Sequence, residues 1–443
     1  MSFSPFPRLL VRMALFVSIV LGGLLAGAQT GARAQTAGGL FSAAPNPSAA
    51  ARPARANALR SRLVSADLGQ IAGLDGSQPA ERITLNLFDD VTYTAVRRES
   101  TQTGPGRFTW VGDLEGTPEG EIVLVVDSGA LSAGIQDGQD FYEVRLAGDQ
   151  LYWINLLNRN DTRDGLPPLV PDASASVLPA ADPSLSPEGE TIDVMVLYTP
   201  SAQTAAGGLA AMNALVDQAV ADTNTAYANS DVAQRLRLVY KGAVSYTEQD
   251  FTNDLYALTF TAGSPQDPSG AIDSIHALRD TYHADLVSLL VNHSGGICGL
   301  GWLMSTASVS FESRGFNVVN YDCAVAPQNS FAHELGHNMG ITHDKENAGD
   351  GVPSFAYSYG HQVPGQFRTV MAYVNGCASP CPRVRHFSNP NVTYNGFPTG
   401  TAANSASPAY NALSLDNTAN TVASFRVAPV VATDRIYVPL MIR

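Results

Sequence analysis

The chain has 443 residues, 45% of them hydrophobic and 15% charged, with a formal net charge of −14. This is the composition of a folded globular protein of two domains or more, and it excludes a disordered chain. The acidic balance excludes nucleic acid and an anionic membrane surface as partners.

Residues 1–34 read as an export signal. Arg8 and Arg12 give a basic start, "MALFVSIVLGGLLAGA" from Met13 to Ala28 gives an apolar stretch, and Ala32-Arg33-Ala34 or Ala26-Gly27-Ala28 gives a cleavage point. An apolar run of about 16 residues is short for a membrane span of roughly 20. Secretion without stable membrane insertion is therefore expected. Residues 35–57, rich in Ala, Gly, Pro and Ser, read as a flexible lead.

From 58 to 164 the pattern changes. "RITLNLF", "FTWVGDL", "EIVLVVD" and "YEVRLAG" carry period-2 apolar positions between Gly, Pro and Asp turn signals, which predicts a small β-rich domain. "GLPPLVPDASASVLPAADPSLSPEGE", residues 165–190, has too little apolar surface to pack and reads as an exposed, cleavable linker. The domain before it stands where a propeptide would.

Residues 191–428 follow α/β grammar. "IDVMVLYT" is a strand; Met212, Leu215, Val216, Ala219, Val220, Thr223 and Tyr227 keep helical spacing; "RLRLVYKGAV" alternates as a strand. Ile272, Ile275, Leu278 and Tyr282 mark a second helix, "ADLVSLLVN" is a buried central strand, and "FNVVN" is a short strand. This order predicts an α/β (α+β) fold with a mixed twisted sheet and packed helices. The tail, residues 429–443, is left open between a packed strand and a docking segment.

Four cysteines, in an exported chain, suggest two disulfides. Of three connectivities, Cys298–Cys323 and Cys377–Cys381 is the preferred one.

The chemistry is concentrated in "FAHELGHNMGITHD", Phe331 to Asp344. Its pattern His-Glu-x-x-His-x-x-Gly-x-x-His should arise by chance on the order of 10⁻⁵ times per sequence. With Asn329 or Ser330 as cap, a helix puts His333 and His337 on one face, one turn apart. Gly340 ends that helix by adopting a left-handed conformation, and the turn brings His343 round as a third ligand. Three neutral imidazoles suit one catalytic Zn²⁺ and leave a position open for water. Glu334 sits beside the first ligand, where a general base can take the proton of zinc-activated water. A structural zinc site is closed by four ligands and needs no such glutamate. Whether a structural Ca²⁺ accompanies the zinc is left open.

This motif followed by a methionine turn resembles the metzincin metallopeptidases. The turn is "FRTVMAY", with Met371 as the apolar floor under the ligands. Asp344 after the third histidine resembles the adamalysin/reprolysin group, where it supports the lower subdomain. Tyr373 resembles the tyrosine that reaches the metal in astacins and serralysins, which implies a stabiliser of the oxyanion; a packed aromatic is the other reading. With "FSNPNVTYNGFPTG" and "NALSLDNTANTVASFR" downstream, residues 190–428 look most like bacterial peptidyl-Asp metallopeptidases. The resemblance implies a secreted zinc endopeptidase, acting on protein or peptide substrates and cutting on the N-terminal side of Asp. It also implies an S1′ wall after the methionine turn, where Arg383 and Arg385 lie, with Arg368 just before it. Taken singly, each of these arginines reads first as solvated surface.

No cysteine precedes Cys298, which excludes a thiol switch. The β-rich domain could cover the cleft as inhibitor and chaperone, with Asp161 or Asp164 near the zinc. Residues 316–320 or the preceding "TASVSF" are the candidate substrate-binding edge. His361 and His386 read as ordinary polar or core histidines, and a monomer is expected. The alternative to an enzyme is a non-catalytic binding or adhesion module on a zinc-stabilised metzincin fold; the intact Glu334 argues against it.

Overall fold

The computed structural model describes residues 38–44, 52–71, 79–159, 163–171, 190–349 and 351–426. The export signal, Asp161 and the tail lie outside them.

Nine antiparallel strands form the N-terminal sheet: β1 (Phe41–Ala43), β2 (Ala58–Ala66), β3 (Arg82–Phe88), β4 (Val91–Gly104), β5 (Arg107–Leu114), β6 (Glu121–Asp127), β7 (Ala130–Gln136), β8 (Phe141–Gly148) and β9 (Leu151–Leu157). Their order is β1-β2-β9-β8-β7-β6-β5-β4-β3. The two ends of the sheet come back together. Leu40 N–H donates to Thr84 O at 2.8 Å, and the Asn86 side chain donates to Phe41 O at 2.6 Å while accepting its N–H at 2.9 Å. The alternate apolar residues of each strand, among them Leu85, Trp110, Leu124 and Ile154, fill the enclosed core. The lead is thus not wholly free of the fold: Leu40 and Phe41 are buried in this core because β1 completes the sheet.

The second part begins with β10 (Thr191–Tyr198), α1 (Pro200–Ala206), α2 (Leu209–Asn229) and β11 (Arg235–Ala243). It continues with α3 (Phe251–Thr259), α4 (Ser274–Tyr282), β12 (Leu286–Val291), β13 (Gly299–Gly301), β14 (Phe316–Asn320), α5 (Ser330–Asn338), β15 (Gln362–Val363) and β16 (Phe367–Arg368), and later α6 (Asn411–Val422). The sheet order is β11-β10-β12-β14-β13, all parallel except β13. This is the mixed sheet expected from the sequence. β12 is buried along its whole length, as a strand covered by helices on both faces must be.

β14 is internal, paired with β12 on one side and β13 on the other. The edge predicted at 316–320 or in "TASVSF" therefore moves to Gly299–Gly301. "TASVSF" runs into a 3₁₀ turn over Val309–Arg314.

The two sheets share a packed boundary through α2. β6 is buried on both faces: Ile122, Leu124 and Val126 face the N-terminal core, whereas Val123 and Val125 meet Ala221 of α2. Charged groups line the same boundary. Lys241 Nζ stands 2.7 Å from Asp217 and also contacts Asp127, and Arg107 reaches Asp217 at 3.1 Å. Among the described residues no helix is long and apolar enough to cross a membrane.

Candidate active site

α5 presents the histidine motif from the buried side of the sheet. Asn329 takes the N-cap position in a left-handed conformation, φ 53°, and its side chain makes no capping bond. Gly340 has φ 86°, and a Cβ there would stand 2.2 Å from Ser354 Oγ, so the turn after α5 requires glycine. That turn returns the chain so that His343 faces His333 and His337.

The three Nε2 atoms converge. His343 Nε2 lies 3.1 Å from that of His337 and 3.1 Å from that of His333. Each Nδ1 has a backbone carbonyl as partner: Val370 O at 2.9 Å for His333, Ile341 O at 3.0 Å for His337 and Asn347 O at 3.3 Å for His343. A carbonyl can only accept, so the proton sits on Nδ1 and the Nε2 lone pairs point inward. Burial pushes His333 and His337 well below the usual imidazole range and His343 down to about 3, which keeps all three neutral. Nitrogens on one tetrahedral zinc at 2.0–2.1 Å stand about 3.3 Å apart, so the donor set fits such an ion. Among the described residues this is the group of His, Cys, Asp and Glu side chains able to share a metal.

Glu334 is fully buried beside this triad, and neither carboxylate oxygen has a hydrogen-bond partner. Burial pushes its carboxyl well above the usual range, with Arg383 acting in the opposite sense. A buried carboxyl without a partner is expensive. Met371 is buried with its sulfur against Gly336 of α5, where a Cβ would approach it to 2.8 Å. Asp344 Oδ2 accepts the Tyr373 N–H at 3.0 Å and its Oδ1 accepts from Asn347 Nδ2 at 2.8 Å, tying the methionine turn to the third histidine. The Tyr373 ring lies 3.9 Å from that of His343. Burial raises its phenol above the usual range, so the hydroxyl stays a donor.

Residues 189–406 match the model of metallo-peptidase family M12B, reprolysin-like. The chain is 33% identical to the peptidyl-Asp metalloendopeptidase of Xanthomonas campestris pv. campestris, over 84% of this chain and 87% of that protein. It is 35% identical to the peptidyl-Asp metalloendopeptidase of Stenotrophomonas maltophilia strain K279a, over 70% of this chain and 71% of that one. The chain belongs to the reprolysin-like metallopeptidases. It is a metallo-endopeptidase, and the non-catalytic alternative is set aside.

β13 runs beside the histidine triad, over Glu334. Both predicted disulfides form, and Cys298–Cys323 ties the start of β13 to the residues just after β14. β13 escaped the sequence reading because it is three residues long and two are glycine. The glycines have a reason: Glu334 lies directly under the strand. A Cβ at Gly299 would stand 2.5 Å from Glu334 Oε1, and one at Gly301 would stand 3.2 Å from Oε2. Gly299→Ala is therefore expected to displace the carboxylate and lower kcat/KM by about 10- to 100-fold without loss of bound metal. Steady-state kinetics alongside metal analysis measures this.

The three arginines part company. Arg368 Nη1 donates to Asp164 Oδ1 at 2.7 Å and to Ala372 O at 3.0 Å, and Arg383 Nη2 also contacts Asp164. Arg383 Nη1 donates to Gln328 O at 2.6 Å. Both arginines are buried, and Arg383 stands close enough to Tyr373 to act on its phenol. Arg385 is elsewhere: it pairs with Glu121 of β6 at 3.0 Å and Asp222 of α2 at 3.2 Å, and is 1% exposed. It does not line the cleft, because a tight turn in which His386 N–H donates to Val384 O swings it toward the N-terminal sheet.

Residues 163–171 pair along β13, and residues 172–189 of the expected linker lie outside the described residues. Cys298 N–H donates to Asp164 O at 3.1 Å, Leu166 N–H to Gly299 O at 2.8 Å, Leu169 N–H to Gly301 O at 3.0 Å and Leu303 N–H to Leu169 O at 2.8 Å. The segment therefore runs parallel to β13 and covers its open edge. Its leucines lean on the core of the second part. Asp164, expected near the zinc, is drawn to the arginines because two guanidinium groups hold a carboxylate there. His361 is half-buried and His386 buried, and burial lowers both below the usual imidazole range; neither belongs to the triad.

Proposed function

We propose that this chain is an exported, zinc-dependent endopeptidase that uses Glu334 as general base and prefers bonds on the N-terminal side of aspartate. The observation that carries the reading is the convergence of three neutral Nε2 donors beside an unpartnered buried carboxyl, under a strand whose outer edge residues 163–171 cover. Export is supported by the basic and apolar N-terminus and by two disulfides. The preference is supported by the relatives' names and by two buried arginines, Arg368 and Arg383.

His333, His337 and His343 would hold the ion. Bound there, zinc polarises the peptide carbonyl and acidifies water. The edge amides and carbonyls of β13 align an extended peptide by main-chain hydrogen bonds. Glu334 takes the proton of the attacking water and passes it to the departing nitrogen. The Tyr373 hydroxyl donates to the carbonyl oxygen as negative charge develops on it. Asp344 keeps Tyr373 in place through its backbone N–H. The N-terminal sheet acts as propeptide, inhibiting and chaperoning the monomeric peptidase.

The test is a random peptide pool treated with purified, linker-processed protein and sequenced by mass spectrometry, with zinc content measured in parallel. Expected are one zinc per chain, cuts preceding Asp, and loss of cutting on chelation with recovery on adding zinc. Cuts with no preference for Asp would leave an endopeptidase without the proposed specificity. No cuts from a zinc-loaded protein would sink the catalytic reading.

A further inference from the structure

Asp164 is held by more than its two arginines. Its Oδ2 also accepts the Val374 N–H at 3.3 Å, one residue past Tyr373, so three donors from two separate stretches meet on one carboxylate. The neighbouring residue is equally well placed. Gly165 lies against Glu334, where a Cβ would come within 2.7 Å of Oε1, and its carbonyl accepts the Tyr373 hydroxyl at 2.8 Å. A side chain at 165 would collide with the base, so glycine permits the close approach.

The segment thus presents a carbonyl to Tyr373, the α-carbon of Gly165 to Glu334, and an acidic side chain to Arg368 and Arg383. A substrate cut before aspartate presents the same two groups in the opposite chain direction: its reacting carbonyl precedes the aspartate. In the segment the carbonyl belongs to Gly165, which follows Asp164, and its amide nitrogen is that of Leu166. That nitrogen lies on the side away from the arginines, bonded to Gly299 O. The segment thus offers the groups of a substrate with the peptide bond turned round, and the prolines at 167 and 168 remove two further donors.

We propose that Arg368, Arg383 and the Val374 N–H form the subsite that receives the acidic side chain of a substrate. Residues 163–169 lie in the cleft as a reversed pseudo-substrate whose Asp164 fills that subsite and keeps the uncleaved chain latent. This rests on the endopeptidase reading and its preference for aspartate. Latency here needs no residue of the segment on the metal. It is a competition for the arginines, which a substrate wins once the segment is no longer tethered to the sheet.

The full-length chain tests this with wild type, Asp164→Asn and Asp164→Ala. Amide exchange at Leu166, Leu169, Cys298 and Leu303 is expected to be slow in wild type and about 10- to 100-fold faster in Asp164→Ala, with Asp164→Asn between them. The same variants, unprocessed, should cut an Asp-containing peptide about 10- to 100-fold faster than unprocessed wild type. In the Asp164→Ala background, adding Arg383→Gln should lower the ratio of kcat/KM for an Asp peptide over its Asn counterpart by about tenfold or more, while cutting of the Asn peptide persists. Unchanged exchange and latency in Asp164→Ala would overturn the latch. An unchanged Asp-to-Asn ratio would overturn the subsite. If exchange accelerates but no form cuts any peptide, even after linker proteolysis, the endopeptidase reading fails and docking of the segment stands.

Discussion

Replacing Glu334 by Gln is expected to lower kcat/KM of the processed enzyme by about 10²–10⁴, the range that a positioned general base supplies. The substitution keeps the volume under β13, so Gly299 and Gly301 retain their contacts. It leaves the three Nε2 donors and their carbonyl partners untouched, so zinc content should remain at the wild-type level. The pair of measurements separates chemistry from assembly. Lost activity with retained metal places Glu334 in proton transfer. Retained activity would remove the base from the mechanism, and lost metal would make the residue a support of the site.

Arg385→Ala is expected to destabilise the full chain by about 3–5 kcal/mol, the loss seen when one partner of a buried ion pair is removed. Burial alone would raise the Glu121 carboxyl, but Arg385, Asn229 and Arg98 outweigh it and hold it below its usual range. At Asp222 burial outweighs Arg385, and that carboxyl is raised. One guanidinium therefore serves two carboxylates, and removing it leaves Glu121 to Arg98 and Asn229, and Asp222 to Gln218 and the Ala326 N–H, with no cation at all. Denaturant unfolding at neutral pH gives the shift in midpoint. A triple variant, Arg385→Met with Glu121→Gln and Asp222→Asn, should recover part of the loss because no charge is left unpaired. A shift under 1 kcal/mol for Arg385→Ala alone would show the pairs to be solvated in practice.

Much of the site was legible in the chain because its geometry is local. A helix puts residues four apart on one face, so His333 and His337 needed only the helix, and Gly340 and His343 only the turn. Four strands of the N-terminal sheet and four of the second sheet were marked by period-2 alternation or by apolar runs. β6 combines both reasons: its second apolar face, unexplained within the N-terminal sheet, meets Ala221.

Other parts were not legible. β13 has neither length nor pattern, and its role comes from lying outside β14 and above Glu334. Arg383 and Arg385 are two apart and would share a face of an extended strand, yet a turn at Val384–His386 sends one to the cleft and the other to the N-terminal sheet. Residues 163–171 are Pro-rich, a composition of linkers, and only the open edge of β13 gives their amides partners.

The sequence by itself brought out the histidine triad and its neighbouring glutamate, the preferred disulfide pairing and most of the long strands and helices, since each depends on neighbours within a few turns of chain or on the pairing of few cysteines. Tertiary structure alone decided which strand edge is open, which arginines reach the cleft and what fills it. Those depend on groups brought together across long stretches of chain: Asp164 and Arg368 are 204 residues apart. Ion-pair partners at that distance are chosen by the packing of whole sheets, and no periodicity along the chain encodes them.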